Sequence, residues 1–222
     1  SAKQDTGFQP LNFEPHLHSL PQPLRTLRQE LAEIAFREAL LPRQLRQEVQ
    51  ELDDFPGFVF YDPTISEKQW RIPSTDLVQS IVKRAAECDQ DHEGESSWNM
   101  DVQSLLLDSG FRQRSSSFID FRYCTGAQIL HGYKPHGVSP KAVGFCDCIK
   151  PDASSTEAQA IEALTLSRPG FSINHTDWGN FSKHPIALSV ETKRQAEWDR
   201  ALFQIGTWHS SQWRALQRES DA

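Results

Sequence analysis

Glu191 and Lys193 sit one residue apart in SVETKR, at the end of the apolar run IALSV. In an extended strand, side chains two positions apart share a face, so the pair would project together. A carboxylate and an ammonium on one face support two kinds of chemistry. The carboxylate can hold a divalent cation, and the lysine can orient water or stabilise developing negative charge. The same spacing also describes a surface ion pair, which contributes little. What weighs against that plainer reading is the company the pair keeps: Glu95 opening the segment ESSWNMDV, Asp147 in AVGFCDCI, and the aromatic run QIGTWHSSQW with Trp208 and His209. Lys183, Arg194, Arg200 and Arg214 are cations from the same C-terminal stretch and a candidate surface for polyanions.

These residues need elements to hold them. Residues 1–23 carry Pro10, Pro15, Pro21 and Pro23 with little apolar periodicity and read as a flexible, extended arm. From Leu24 the apolar spacing of Leu24, Leu27, Leu31 and Ile34 predicts an amphipathic helix ending before Pro42, followed by a short helix from Arg43 to about Leu52. FPGFVFYDP, from Phe55 to Pro63, is a packed loop or edge segment. Ser74 and Thr75 can cap a helix running to about Cys88, and another begins near Ser96 and ends at Gly110. Beyond Gly110 the period shifts toward two. Residues 117–124, 142–149 and 186–193 read as strands, with a helix from Ser155 to Leu166 between the last two and a closing helix from Glu197 to Leu216. The domain reading is one domain over 24–222, with a helical N-terminal part (24–90) and a core (91–216), and no internal repeat is found.

Composition narrows the classes. The 222 residues are 37% hydrophobic and 24% charged, with a formal net charge of −7, which argues against an indiscriminate nucleic-acid binder. No stretch approaches the roughly 18 apolar residues of a membrane helix, so a cytoplasmic protein without membrane partners is expected. Cys88, Cys124, Cys146 and Cys148 lack the paired spacing of a zinc knuckle and read as reduced core thiols, with Cys146 and Cys148 on one strand face. Trp198, Trp208 and Trp213 fall at helical spacing, as core aromatics do. His175 is expected to fix its loop through a backbone hydrogen bond.

The order helix with Glu95, strand, strand with Asp147, strand with E-T-K, helix resembles the PD-(D/E)XK nuclease core. Ser172 to Leu216 is similar to the C-terminal signature of the fungal PD-(D/E)XK nuclease-like proteins, in which Asn-His-Thr leads into an E-T-K-R strand and a helix bearing Gln, Gly and Trp. ESSWNMDV is similar to that family's Glu-x-x-Trp-Asn helix. The resemblance implies an α+β fold of the restriction-endonuclease type, a central mixed sheet flanked by helices with a helical N-terminal extension. One position departs from it. The family pattern has an aspartate after Lys-x-Val in the second strand, where this chain reads KAVGFCDC and has Gly144. Asp147 follows three residues later, on the opposite face unless a bulge re-aims it.

A nuclease needs that aspartate to hold Mg²⁺, so its loss turns the expectation toward a second activity that the resemblance implies. This is synthesis of an arginine-containing cyclic dipeptide from two aminoacyl-tRNAs, one charged with arginine, with no metal or other cofactor. In that reading Glu191 and Lys193 are catalytic, and Asp177, Trp178, Trp208, His209, Asp147 and Glu95 are substrate contacts. Lys183, Arg194, Arg200 and Arg214 would bind tRNA. Ser189, Thr192, Cys146 and Cys148 are the nearest groups for an acyl-enzyme. The alternatives are a Mg²⁺-dependent nuclease and a catalytically dead binding module of the same fold.

Overall fold

The computed structural model describes residues 8, 20–52, 54–64, 72–112, 118–137 and 142–220. They divide into two compact units, Leu11–Val82 and Ser1–Pro10 with Lys83–Ala222. The division after Val82 falls inside a helix.

In the first unit, helix α1 (Gln22–Ala35) begins two residues before the expected start, with proline in its first turn. Proline there lacks only an N–H that would be unpaired anyway. It stops well short of Pro42 because Arg37 and Ala39 adopt left-handed backbone, which reverses the chain. Strand β1 (Leu41–Pro42) pairs in parallel with β2 (Phe60–Tyr61). Between them lie a 3-10 turn (Arg43–Leu45) and α2 (Arg46–Gln50), in place of one continuous helix. Val49, Val59 and Phe60 form a small core there, so the Phe55–Pro63 segment is an edge element as expected. Helix α3 (Thr75–Gln90) follows, and the Leu77 N–H bonds to the Ser74 hydroxyl at 3.3 Å.

The larger unit carries the sheet. Helix α4 (Glu95–Trp98) runs into a π-helical turn (Asn99–Gln103) and then α5 (Ser104–Phe111), where the sequence suggested one regular helix. Strands β3 (Ile119–Tyr123), β4 (Phe145–Ile149) and β5 (Ile186–Val190) pair in that order, both pairings antiparallel. The expected mixed sheet is thus antiparallel among the described residues. Ser117 lies outside them, as do residues 1–7 and 9–19 of the expected arm. Helix α6 (Thr156–Ser167) is capped by Ser155, whose hydroxyl accepts from the Ala158 N–H at 3.1 Å. Helix α7 (Trp198–Ser220) closes the chain.

Register sorts the sheet's side chains. Asp120, Arg122, Cys146, Cys148 and Ser189 point to one face, and Phe121, Phe145, Asp147 and Leu188 to the other. Cys124, Cys146, Cys148, Phe181, Ile186 and Trp208 form the core against the first face. All four cysteines are free and buried, as expected. Trp208 alone of the three α7 tryptophans joins that core; Trp198 and Trp213 are largely exposed, a correction to their reading as core residues. Their side chains fall on the helix's outer side, which spacing alone does not separate from the inner one. The Gln204-x-Gly206-x-Trp208 pattern acquires a physical meaning. Gln204 Nε2 donates to the Ala142 carbonyl, Gly206 leaves room for the Phe8 ring, and Trp208 Nε1 donates to Ser189 Oγ at 3.1 Å. Phe8 also lies tilted against Phe203 with ring centroids 6.3 Å apart, so this residue of the expected arm is packed, and Gln22 and Pro23 of the arm belong to α1.

Candidate active site

The E-T-K segment lies just past its strand, since β5 ends at Val190. Glu191 and Lys193 nevertheless meet, with Lys193 Nζ 2.7 Å from Glu191 Oε1 and 2.6 Å from Glu95 Oε2. The other Glu191 oxygen, Oε2, accepts the backbone N–H of Gly144 at 2.9 Å. Register explains the meeting. Val190 pairs with Phe145, which sets the residue after β5 beside the residue before β4. Glu95 arrives from the other side as the first residue of α4. The sequence therefore brings a helix start, a strand start and a strand end to one point.

Asn99, the first residue of the π-helical turn, is fully buried beside them. Its Oδ1 accepts from Thr192 Oγ1 at 3.3 Å, while its Nδ2 has no partner. Asn99 belongs to the Glu-x-x-Trp-Asn stretch that carries the family resemblance, but the sequence assigned it no role at the site; the signal for one was a polar residue beside the apolar Trp98, Val102, Leu105 and Leu106. Single-turn π-bulges inside helices often occur at functional sites, and this one carries Asn99 to the E-T-K segment.

Burial decides what each charge can do. The side chains of Glu191 and Lys193 are 1% and 4% exposed, whereas that of Glu95 is 43% exposed. Burial pushes the Glu191 carboxyl above its ordinary range, against the opposing pull of Lys193 and the Gly144 N–H. Burial alone would lower Lys193, but its bonds to Glu191 and Glu95 outweigh that and raise it above the ordinary lysine value. Lys193 is therefore a standing cation and not a base. Glu191 stands behind it, and Glu95 is the carboxylate open to solvent.

Glu95, Thr192, Lys193 and Arg194 line a cleft of about 570 Å³, together with Trp98 and Glu197. That volume is in the range of small-molecule sites, about 300–1,000 Å³. Of the residues expected here, Glu95, Glu191, Lys193 and Arg194 come together. Arg194 also donates to the Glu93 carbonyl at 3.0 Å, and Arg200 pairs with Glu197 at 2.8 Å.

Other expected contacts lie elsewhere. Asp147 faces away: it opposes Leu188 and Phe121, and the irregularity in the β4–β5 register comes after it, between Asp147 and Cys148, too late to re-aim it. Trp208 is a core residue with no exposed surface and cannot form a substrate wall. Asp177 and Trp178 are exposed, and neither lines the cleft; the Trp178 ring packs over Gly126. His209 is half-buried on α7, outside the cleft, with its pKa lowered by burial. Lys183 borders a different cleft of about 900 Å³ with Lys150 and His184, and Arg214 lies near the far end of α7. Of the acyl-acceptor candidates, Ser189 and Cys146 are buried against Trp208 and each other, and Cys148 is buried too. Thr192 alone reaches the cleft.

His175 also departs from expectation. Neither ring nitrogen has a partner, and burial lowers its pKa to about 3. It stands edge-on to Trp208 at 4.3 Å. The loop is fixed instead by Asn174, whose amide donates to the Phe181 and His184 carbonyls at 2.6 and 2.8 Å and accepts from the Ile186 N–H at 2.9 Å.

The donor set does not suit a divalent ion. Mg²⁺ demands several hard oxygens in near-octahedral array. Here both oxygens of Glu191 are engaged by an N–H and an ammonium, Glu95 is bound to the same ammonium, and Gly144 offers no carboxylate. No group of three or more His, Cys, Asp or Glu able to hold a metal occurs among the described residues. No helix among them is long and apolar enough to cross a membrane. A family model described as the PD-(D/E)XK nuclease superfamily matches residues 44–221. No curated protein and no solved structure matches the chain.

Proposed function

Starting from the fact that the chain belongs to the PD-(D/E)XK nuclease superfamily, we propose that it has turned the nuclease fold to aminoacyl transfer, joining two aminoacyl-tRNAs, one charged with arginine, into a cyclic dipeptide. The observation that carries this reading is Lys193, clamped between Glu95 and Glu191 at the cleft where a nuclease would hold its metal. A fixed cation beside an open carboxylate suits aminolysis of an ester better than it suits hydrolysis of a phosphodiester.

In the first transfer, the α-amine of one aminoacyl group attacks the ester carbonyl of the other. Lys193 stabilises the oxyanion of the tetrahedral intermediate, and Glu95 accepts the amine proton and returns it to the departing ribose oxygen. Glu191 touches no substrate. It is a positioning residue that keeps Lys193 charged and aimed. The new free amine then attacks the remaining ester, closing the ring and releasing the second tRNA. Two amide bonds form and two ester bonds break, with no water, oxidant or reductant consumed. Trp98 offers an indole face to a guanidinium in the same cleft, and Arg194 a cation to a terminal phosphate.

The test is to incubate the purified chain with arginyl-tRNA and a mixture of other charged tRNAs, and to analyse the small molecules by mass spectrometry. An arginine-containing diketopiperazine, absent with Lys193→Met, is the expected result. No such product, together with Mg²⁺-dependent cleavage of a nucleic acid by the same sample, would replace this reading with the nuclease one.

A further inference from the structure

We infer that the Lys193 ammonium is this site's resident cation, standing in for a divalent ion, and that Gly144 and Asn99 mark the place of a missing carboxylate, so that one side chain separates the protein from a metal-binding one. The inference rests on the placement of the working site at Lys193, which the proposed function shares, but not on any reaction there.

Three observations carry it. Asn99 is fully buried with its Oδ1 used by Thr192 and its Nδ2 unpaired. A buried donor without an acceptor is costly, and native proteins seldom leave one. Next to it, Gly144 leaves room for a side chain. A Cβ built there meets the Val190 carbonyl at 3.4 Å and the Asn99 Oδ1 and Nδ2 at 3.8 and 4.0 Å, all ordinary contacts. A carboxylate one bond further out is within reach of the orphan Nδ2. Finally, a cation already stands between the two carboxylates, which together exceed it by one negative charge. Glu95 and Glu191 hold one ammonium between them, and the Gly144 N–H occupies the second oxygen of Glu191. A third carboxylate at position 144 would shift that balance toward a divalent ion, supplying the hard ligand now lacking.

The probe is MnCl2 and the readout is thermal melting of the full chain, which needs no substrate. Wild type is expected to move by less than about 1 °C, as is Gly144→Ala, which fills the space with carbon only. Gly144→Asp is expected to rise by about 5 °C when Mn²⁺ is about a hundredfold above its Kd, and to lose that rise when combined with Glu191→Gln. A Mn²⁺ response of the wild type that disappears with Glu191→Gln would overturn the inference. So would a folded Gly144→Asp protein that ignores Mn²⁺. Should Gly144→Asp fail to fold, the wild-type and Glu191→Gln titrations decide alone. Failure of the proposed function leaves these melts unchanged, so the two are told apart.

Discussion

Glu191, just past the end of β5, and Asp147, within β4, both carry buried carboxylates, and they face opposite ways. At the Glu191 end, each oxygen meets a donor or a cation, and the charge is passed through Lys193 to a solvent-facing glutamate. On the Asp147 face, Oδ1 has no partner, and burial raises the carboxyl to about 6. The difference teaches that a carboxylate's role in this fold is set by register parity. A displacement of three residues along β4 carries a side chain from the charged site into an apolar face, where its charge is a liability.

The sharpest way to break that comparison is to remove the cation. Lys193→Met leaves Glu191 as an uncompensated buried charge, so product formation should fall by at least about 10³-fold and stability by about 3–5 kcal/mol. Parallel product and melting measurements check both. Glu95→Gln keeps the shape of the cleft and loses the base. A drop of about 10²-fold in kcat with little change in melting temperature is expected, whereas an unchanged kcat would remove Glu95 from the chemistry. On the other face the sign reverses. The folded pKa of Asp147 is raised above its ordinary 3.8, so the wild type is penalised when Asp147 is ionised and regains stability as pH falls through about 6. Asp147→Asn should therefore melt about 3 °C higher than wild type at pH 8, with the gain gone by pH 4. An effect of the opposite sign is expected at His175, whose folded pKa of about 3 lies below its ordinary 6.5. Stability from that group is present above pH 6.5 and lost as pH falls toward 3. His175→Phe, which keeps an aromatic edge against Trp208, should flatten that acid slope in a melting series from pH 7 to 4.

Much of this was legible in sequence, for identifiable reasons. Helical and strand periods give the order of elements, because buried faces impose them, and the E-x-K pair and the Glu95 segment singled out in sequence are brought together by the fold. Register gave Asp147 its face once a bulge before it was ruled out. The end of β5 at Val190 was not legible, since a polar segment that stays extended looks like more strand. Nor was the π-helical turn, which needs no special residue and exists through the contacts Asn99 makes. The tryptophans show the same limit. Spacing places Trp198, Trp208 and Trp213 on α7, but only tertiary packing selects Trp208 for the core. Solvent access was the least legible property: Glu191 read as the catalytic carboxylate and Glu95 as a substrate contact, whereas Glu191 is buried behind Lys193 and Glu95 is the one open to solvent.

The most direct test of a lysine-centred site is aminoacyl transfer under chelation. Pre-charged arginyl-tRNA and a second aminoacyl-tRNA are mixed with the protein in excess EDTA, and both the cyclic dipeptide and the length of the tRNA are followed. Undiminished product and full-length tRNA are expected. Loss of product on chelation, restored by Mg²⁺ or Mn²⁺, or shortening of the tRNA on metal addition, would contradict a lysine-centred site.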